Sequence, residues 1–181
     1  VTVPSFVRIK RGALARLGIY ARRHGRRRVL VLVSEGLPPA LTATVTDGLR
    51  DAGIAAETPD PIREAAFEAA VAVFAAIPSA VDAVIGLGGG KAIDTAKYAA
   101  HLAGRPFYAV PTSLSNDGFS SPQSSLTLVG KRRSLPAAGP VAVVVDTEVC
   151  LAAPLPLWWS GVGDLTAKLT AVRDWKIAYH A

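Results

Sequence analysis

Apolar runs and helical periods alternate along the chain. Arg28 to Ser34 (RVLVLVS), Ala83 to Leu87 (AVIGL), Phe107 to Val110 and Val141 to Val145 (VAVVV) are apolar over strand lengths. Runs of this kind are buried on both faces of a sheet. Helical patterns separate them. Leu41, Val45 and Leu49 predict a helix over Leu41 to Ala52, stopped by Gly53. Pro61 opens a second helix at a position proline tolerates, with Phe67, Val71 and Phe74 as its buried stripe. A third spans Lys91 to Ala103, with Ile93, Ala96, Ala100 and Ala103 inward. Ile54 to Thr58 is a weaker strand candidate. The alternation predicts an α/β fold, a Rossmann-like doubly wound parallel sheet.

Two departures from the alternation matter. Ser125 to Val129 and Arg132 to Leu135 flank Gly130-Lys131 and predict a β-hairpin insertion. After Cys150, Pro154 and Pro156 interrupt the chain, and Trp158 and Trp159 precede a glycine turn. Leu165, Leu169, Val172, Trp175 and Tyr179 then recur at spacings of three and four, the stripe of a helix over Leu165 to Tyr179. The predicted organisation is a dinucleotide-binding domain over residues 1–150 and the start of an α-helical second domain over 151–181. The striped helix needs a cover, so we expect an interface with a second copy of the chain or with a missing C-terminal domain.

Composition narrows the class. Half of the 181 residues are apolar, enough for a sizeable core. No apolar run reaches bilayer length, and Val1 to Lys10 has no signal-peptide core, so we expect a cytoplasmic protein without a membrane partner. Cys150 is the single cysteine, which excludes an internal disulfide and a thiolate metal cluster. Much of the +6 charge sits in Arg22, Arg23, Arg26, Arg27 and Arg28. That run reads either as a nucleic-acid patch or as a solvated helix end. No aromatic is interleaved with it, and we expect the helix end and no nucleic acid.

Three segments carry candidate chemistry. Gly86-Leu87-Gly88-Gly89-Gly90-Lys91-Ala92-Ile93-Asp94 joins a buried strand to a helix. Glycines there let a diphosphate reach the backbone, and the helix start offers free N–H groups. A tight strand-to-helix turn is the plainer alternative. Asp94 and Lys97, one turn apart, read as an ordinary surface pair. Pro111 to Pro122 begins at the carboxyl end of a strand and is dense in hydroxyls, with Asp117 as its carboxylate. It fits a ligand-lining loop and equally a polar turn before the hairpin. In Gly161-Val162-Gly163-Asp164, Asp164 either caps the following helix, the commoner use, or ligates a metal.

Taken together, GGGKAIDTAK, VPTSLSNDGFSSP, VVVDTEV and SGVGDLTAKLTAVRDWKIA resemble the iron-containing alcohol dehydrogenase and dehydroquinate synthase superfamily. The similarity runs from about Pro4 to the chain end and is greatest to the sn-glycerol-1-phosphate dehydrogenase branch. The resemblance implies NAD or NADP as cofactor. Gly88, Gly89, Gly90, Lys91, Ala92, Ile93 and Asp94 would then hold its diphosphate. Thr112, Ser113, Leu114, Ser115 and Ser121 would line the nicotinamide side. Asp117 would bind the substrate, a small phosphorylated ketone or polyol. Asp164 would hold a catalytic Zn²⁺ and touch the substrate. Asn116 stands where many relatives have His.

The family's other metal ligands are histidines of a second, helical domain, and His24, His101 and His180 do not fall in matching motifs. His24 and His101 read as surface residues and His180 as part of a frayed end. The implied activity is the metal-dependent reduction of glycerone phosphate to sn-glycerol 1-phosphate, feeding ether-type glycerophospholipid synthesis, with this chain as the nucleotide-binding half and inactive alone. Alternatives are a sugar-phosphate cyclase, a glycerol dehydrogenase, or a non-catalytic nucleotide- or partner-binding chain. Glu35, ending the first strong strand, favours NAD through the adenine ribose, while the nearby arginines leave NADP open.

Overall fold

The computed structural model of the chain describes residues 3–180 and the side chains of 3–179. Six strands form one sheet: β1 (Phe6–Lys10), β2 (Arg28–Val33), β3 (Ala55–Glu57), β4 (Ala83–Gly88), β5 (Phe107–Pro111) and β8 (Ala142–Asp146). All pairings are parallel, in the order β1-β8-β5-β4-β2-β3. The antiparallel hairpin β6 (Gln123–Leu128) and β7 (Lys131–Pro136) stands apart. Helices α1 (Leu17–Arg23), α2 (Pro39–Asp51), α3 (Phe67–Ala76), α4 (Gly90–Leu102), α5 (Thr147–Leu151) and α6 (Leu155–His180) complete the fold.

Alternation along the strands builds a core on each face. Val29, Val31 and Val33 pack with Leu17, Val45 and Leu49 under α1 and α2. Leu30 and Leu32 pack with Ile93, Ala96 and Ala100 of α4 on the other face. Small residues let α4 lie close: a Cβ on Gly86 of β4 would stand only 3.0 Å from the Ala96 methyl. The helices that follow β2 and β4 therefore cover opposite faces. The crevice between the carboxyl ends of those two strands is the switch point where ligands bind in such sheets.

Several boundaries differ from the sequence expectation. Strand β1 was not expected. The helix expected from Pro61 begins at Phe67 and buries Ala70, while Phe74 is exposed. Ile62 instead bridges to Ser34 at the end of β2. The hairpin turns on Val129-Gly130, not Gly130-Lys131, with φ of 50° and 71°. The largest correction is α6, one helix through Pro156, Gly161 and Gly163. There is no glycine turn, and Asp164 lies inside the helix rather than at its cap. The apolar stripe is exposed: Leu165, Leu169, Val172 and Trp175 are each more than half accessible.

Of the histidines, His101 is exposed, as expected. His24 is not a plain surface residue: it is half-buried, with Nδ1 2.9 Å from the Tyr108 hydroxyl. The fraying expected at His180 falls outside the described side chains. The helix-end reading holds for Arg22 and Arg23, in the last turn of α1, but not for the rest of the run. Arg26 and Arg27 follow the helix, with Arg26 donating to the Asp82 carbonyl at 3.1 Å, and Arg28 opens β2 and pairs with Glu57 at 2.9 Å. No helix among the described residues is long and apolar enough to cross a membrane.

Candidate functional site

The glycine turn sits at the switch point. Gly88 ends β4 with φ of 137°, and a Cβ there would collide with Ser34, whose own Cβ would be 2.6 Å away. Ser34 also accepts the Gly89 N–H at 3.1 Å, tying the end of β2 to the turn. Gly88 is thus explained by the protein itself. Gly89 is not. Its φ of −83° and ψ of −172° suit any residue, and a Cβ on Gly89 or Gly90 would meet no protein atom within 4 Å. Space is kept open in front of the first turn of α4. No side chain caps that turn, so its leading N–H groups and the positive end of the helix dipole face the opening.

A narrow cleft runs from this turn along the loop after β5. Gly88, Gly89, Gly90, Ile93 and Asp94 line one side, and Ser113, Ser115, Asn116 and Phe119 the other. It opens toward the hairpin into a space of about 450 Å³ lined by Asp94, Ser121, Ser125 and Arg132 among others. Of the residues singled out from sequence, Lys91, Ala92, Thr112, Leu114, Asp117 and Asp164 do not line either space. Ala92 belongs to the core, and the Thr112 N–H donates to the Gly88 carbonyl at 3.1 Å.

Asp94 and Lys97 are not the surface pair that their spacing suggests. The Lys97 side chain is fully buried and that of Asp94 is 11% exposed, with 3.4 Å between them. The Lys97 ammonium donates to the carbonyls of Gly118 at 2.6 Å and Gln123 at 2.7 Å. It therefore clamps both ends of residues 118–123, which carry Phe119 of the cleft wall and Ser121 of the wider space. Burial pushes the Asp94 carboxyl up and the Lys97 ammonium down from their ordinary values, and each opposes the other's shift. Sequence spacing carried no sign of this, because the hairpin that covers the pair is distant along the chain.

Asp117 and Asp164 come together beside the cleft. The Asp117 N–H donates to Asp164 Oδ2 at 3.1 Å. Lys168, one turn beyond Asp164, reaches Asp117 Oδ2 at 3.0 Å and Asp164 Oδ2 at 3.6 Å. The Asp117 carboxylate, first by hydrogen bonding, raises the Lys168 ammonium further, so it is charged at neutral pH. Helix α6 approaches the loop this closely because Gly161 lies directly on the Leu114 carbonyl, where a Cβ would overlap the oxygen. Ser160 Oγ adds a bond to the Ser115 carbonyl at 3.0 Å.

Sequence reasoning assigned no role to Lys168, although its position four residues after Asp164 was a usable signal. Nor did it foresee the link from Ser34 to the turn. Glu35 is paired with Arg63 at 3.1 Å. No group of three or more His, Cys, Asp and Glu among the described residues could hold a metal ion. Asp164 and Asp117 alone do not make such a site.

The sheet, the turn and the loop have counterparts in known proteins. Residues 8–154 match the family model described as iron-containing alcohol dehydrogenase. A glycerol-1-phosphate dehydrogenase [NAD(P)+] of Aeropyrum pernix is 39% identical over 184 residues, which cover 99% of this chain and 51% of that protein. One of Sulfurisphaera tokodaii is 45% identical over 100 residues, 55% of this chain and 29% of that protein. Among solved structures, a glycerol dehydrogenase from Schizosaccharomyces pombe superposes with a TM-score of 0.82 at 27% identity, covering 90% of this chain and 42% of that one. The chain thus spans about half the length of the Aeropyrum relative. With the family model matched across most of its sheet, the chain belongs to the iron-containing alcohol dehydrogenase family.

Proposed function

We propose that this chain is the nucleotide-binding half of an NAD(P)-dependent oxidoreductase that reduces glycerone phosphate to sn-glycerol 1-phosphate. One observation carries the reading: the loop of residues 112–118 lines one cleft with the open glycine turn at Gly89-Gly90 and, through Asp117, bonds to Asp164. A dinucleotide laid across the switch point would place its diphosphate on the α4 N-terminus. Gly88, Gly89, Gly90 and Asp94 surround that position, with Lys91, Ala92 and Ile93 in the same turn. Thr112, Ser113, Leu114, Ser115 and Ser121 are the nicotinamide-side residues. Bound there, the cofactor supplies the hydride.

The chain's own contributions are binding and orientation. Asp117 takes a substrate hydroxyl as acceptor, and Lys168 keeps the two neighbouring carboxylates from repelling an anionic substrate. Residues 151–181 begin the helical second domain, and the exposed stripe of α6 packs against the rest of that domain or a second copy. Asp164 is the metal ligand this chain contributes, with Zn²⁺ as the proposed ion and its remaining ligands not among the described residues. The Aeropyrum and Sulfurisphaera relatives, both glycerol-1-phosphate dehydrogenases by name, support the phosphorylated substrate over free glycerol.

The test is the oxidation of NADH and of NADPH on adding glycerone phosphate, with Zn²⁺ present. It is run on these 181 residues and on a protein joining them to a histidine-bearing second domain. Turnover by the joined protein alone is expected. Turnover with glycerol and NAD⁺ but not with glycerone phosphate would favour the glycerol dehydrogenase reading, and robust turnover by the 181 residues would overturn the half-site.

A further inference from the structure

The β6–β7 hairpin turns two unlike faces. Its register sets Ser125 opposite Ser134 and Thr127 opposite Arg132. One face carries Leu126, fully buried with Ala65 and Ala70, and Leu135 packed beside them. The other face is mostly polar: its Gln123, Ser125, Arg132 and Ser134 line the 450 Å³ space together with Gly90 and Asp94. Arg132 is the only cation among the described residues that line it.

The guanidinium is held but not consumed. Its Nε donates to Ser125 Oγ at 2.8 Å, which fixes the plane of the group. Its Nη2 stands 3.9 Å from Asp94 Oδ2, beyond hydrogen-bond reach. An arginine committed to a structural ion pair closes onto its carboxylate with two short bonds. Arg132 does not, and Asp94 already has a nearer cation in buried Lys97. The terminal N–H groups of Arg132 therefore have no hydrogen-bond acceptor among the described residues, and they lie in a space whose opposite wall is the start of α4.

We propose that Arg132 is the side-chain anion ligand of this cleft. With the uncapped first turn of α4 it forms a receptor for phosphoryl oxygens, a geometry that suits the planar fork of arginine. Ser125 acts as its positioning residue. The identity of the ligand rests on the NAD(P) reading above, since phosphoryl oxygens come either from the dinucleotide diphosphate or from the phosphate of the substrate.

Calorimetric titration of the 181-residue chain with inorganic pyrophosphate, NADH and glycerone phosphate tests this. Wild type is compared with Arg132→Gln and Arg132→Lys, and circular dichroism verifies equal folding. We expect Arg132→Gln to weaken pyrophosphate binding about tenfold, with part of the loss recovered by Arg132→Lys. The same loss for NADH assigns the guanidinium to the diphosphate, and a loss for glycerone phosphate assigns it to the substrate. Unchanged affinity of Arg132→Gln for all three ligands overturns the proposal, as does a wild-type chain that binds none of them. Gly89→Val separates the two readings. If it keeps full NADH affinity while Arg132→Gln loses pyrophosphate, the dinucleotide reading fails and the anion ligand stands.

Discussion

Asp164, deep inside a long helix, accepts the backbone N–H of Asp117, a residue 47 positions earlier, at 3.1 Å. The contact joins two segments that are far apart in sequence. Its enabling residue is Gly161, because any side chain there would press on the Leu114 carbonyl. The opposing atom belongs to the backbone, so it cannot swing aside as a side chain would.

Gly161→Ala is therefore expected to push α6 away from the loop. Alanine improves helix propensity by about 1 kcal/mol, while forced overpacking costs about 1–3 kcal/mol. The net change in stability is small, and the local effect is the diagnostic one. Amide exchange at Asp117 should accelerate markedly in the variant. Exchange unchanged from wild type would mean that the carboxylate is not held by this close approach.

Lys97 makes a stability test. Lys97→Met keeps the volume but leaves Asp94 without its near cation and strips a donor from the Gly118 and Gln123 carbonyls. Removing one partner of a buried pair costs about 3–5 kcal/mol. Urea unfolding should show a loss near the lower figure, because Arg132 remains 3.9 Å from Asp94. A loss below about 1 kcal/mol would contradict the clamp.

The sheet was legible because its strands are apolar on both faces, a pattern that few other elements share. The glycine turn and the hairpin were legible from their punctuation. Strand β1 was not, since Arg8 and Lys10 interrupt Phe6, Val7 and Ile9 on an exposed sheet edge. The continuity of α6 was hidden by Pro156, Gly161 and Gly163. Proline is tolerated in a first turn, and each interior glycine costs only about 1 kcal/mol, so the breakers did not break it. The Asp94–Lys97 burial was hidden because i,i+3 spacing is the same for a surface pair and a covered one.

Cys150 gives a pH test. Burial, reinforced by the Asp146 carboxylate, pushes its thiol up to about 11 from 9.0. The folded state thus holds the proton that an unfolded chain releases. This contribution is intact below pH 9 and is lost as pH rises from 9 toward 11. At pH 8.5 the native chain should resist alkylation by iodoacetamide, and reaction should quicken on unfolding in urea. Rapid labelling of the folded chain would contradict this burial.

The exposed stripe of α6 makes an assembly test. Leu169→Ser with Val172→Ser should weaken self-association, or association with a separate helical domain, in sedimentation velocity while sparing nucleotide affinity. Trp175, 80% exposed here, should become less accessible to acrylamide quenching on association. A chain that stays monomeric, binds no such domain and keeps Trp175 quenchable would leave the stripe without a packing role.

The open turn is tested most directly by calorimetric titration of the 181-residue chain with NADH, wild type against Gly89→Val. The substitution puts a branched side chain into the space in front of α4 and touches no protein atom within 4 Å at its Cβ. Folding should be preserved and NADH affinity should fall at least about tenfold, the scale of a lost charge-assisted contact. Equal affinity of the two proteins, or no NADH binding by a folded wild-type chain, would contradict the assignment of this turn as the diphosphate cradle.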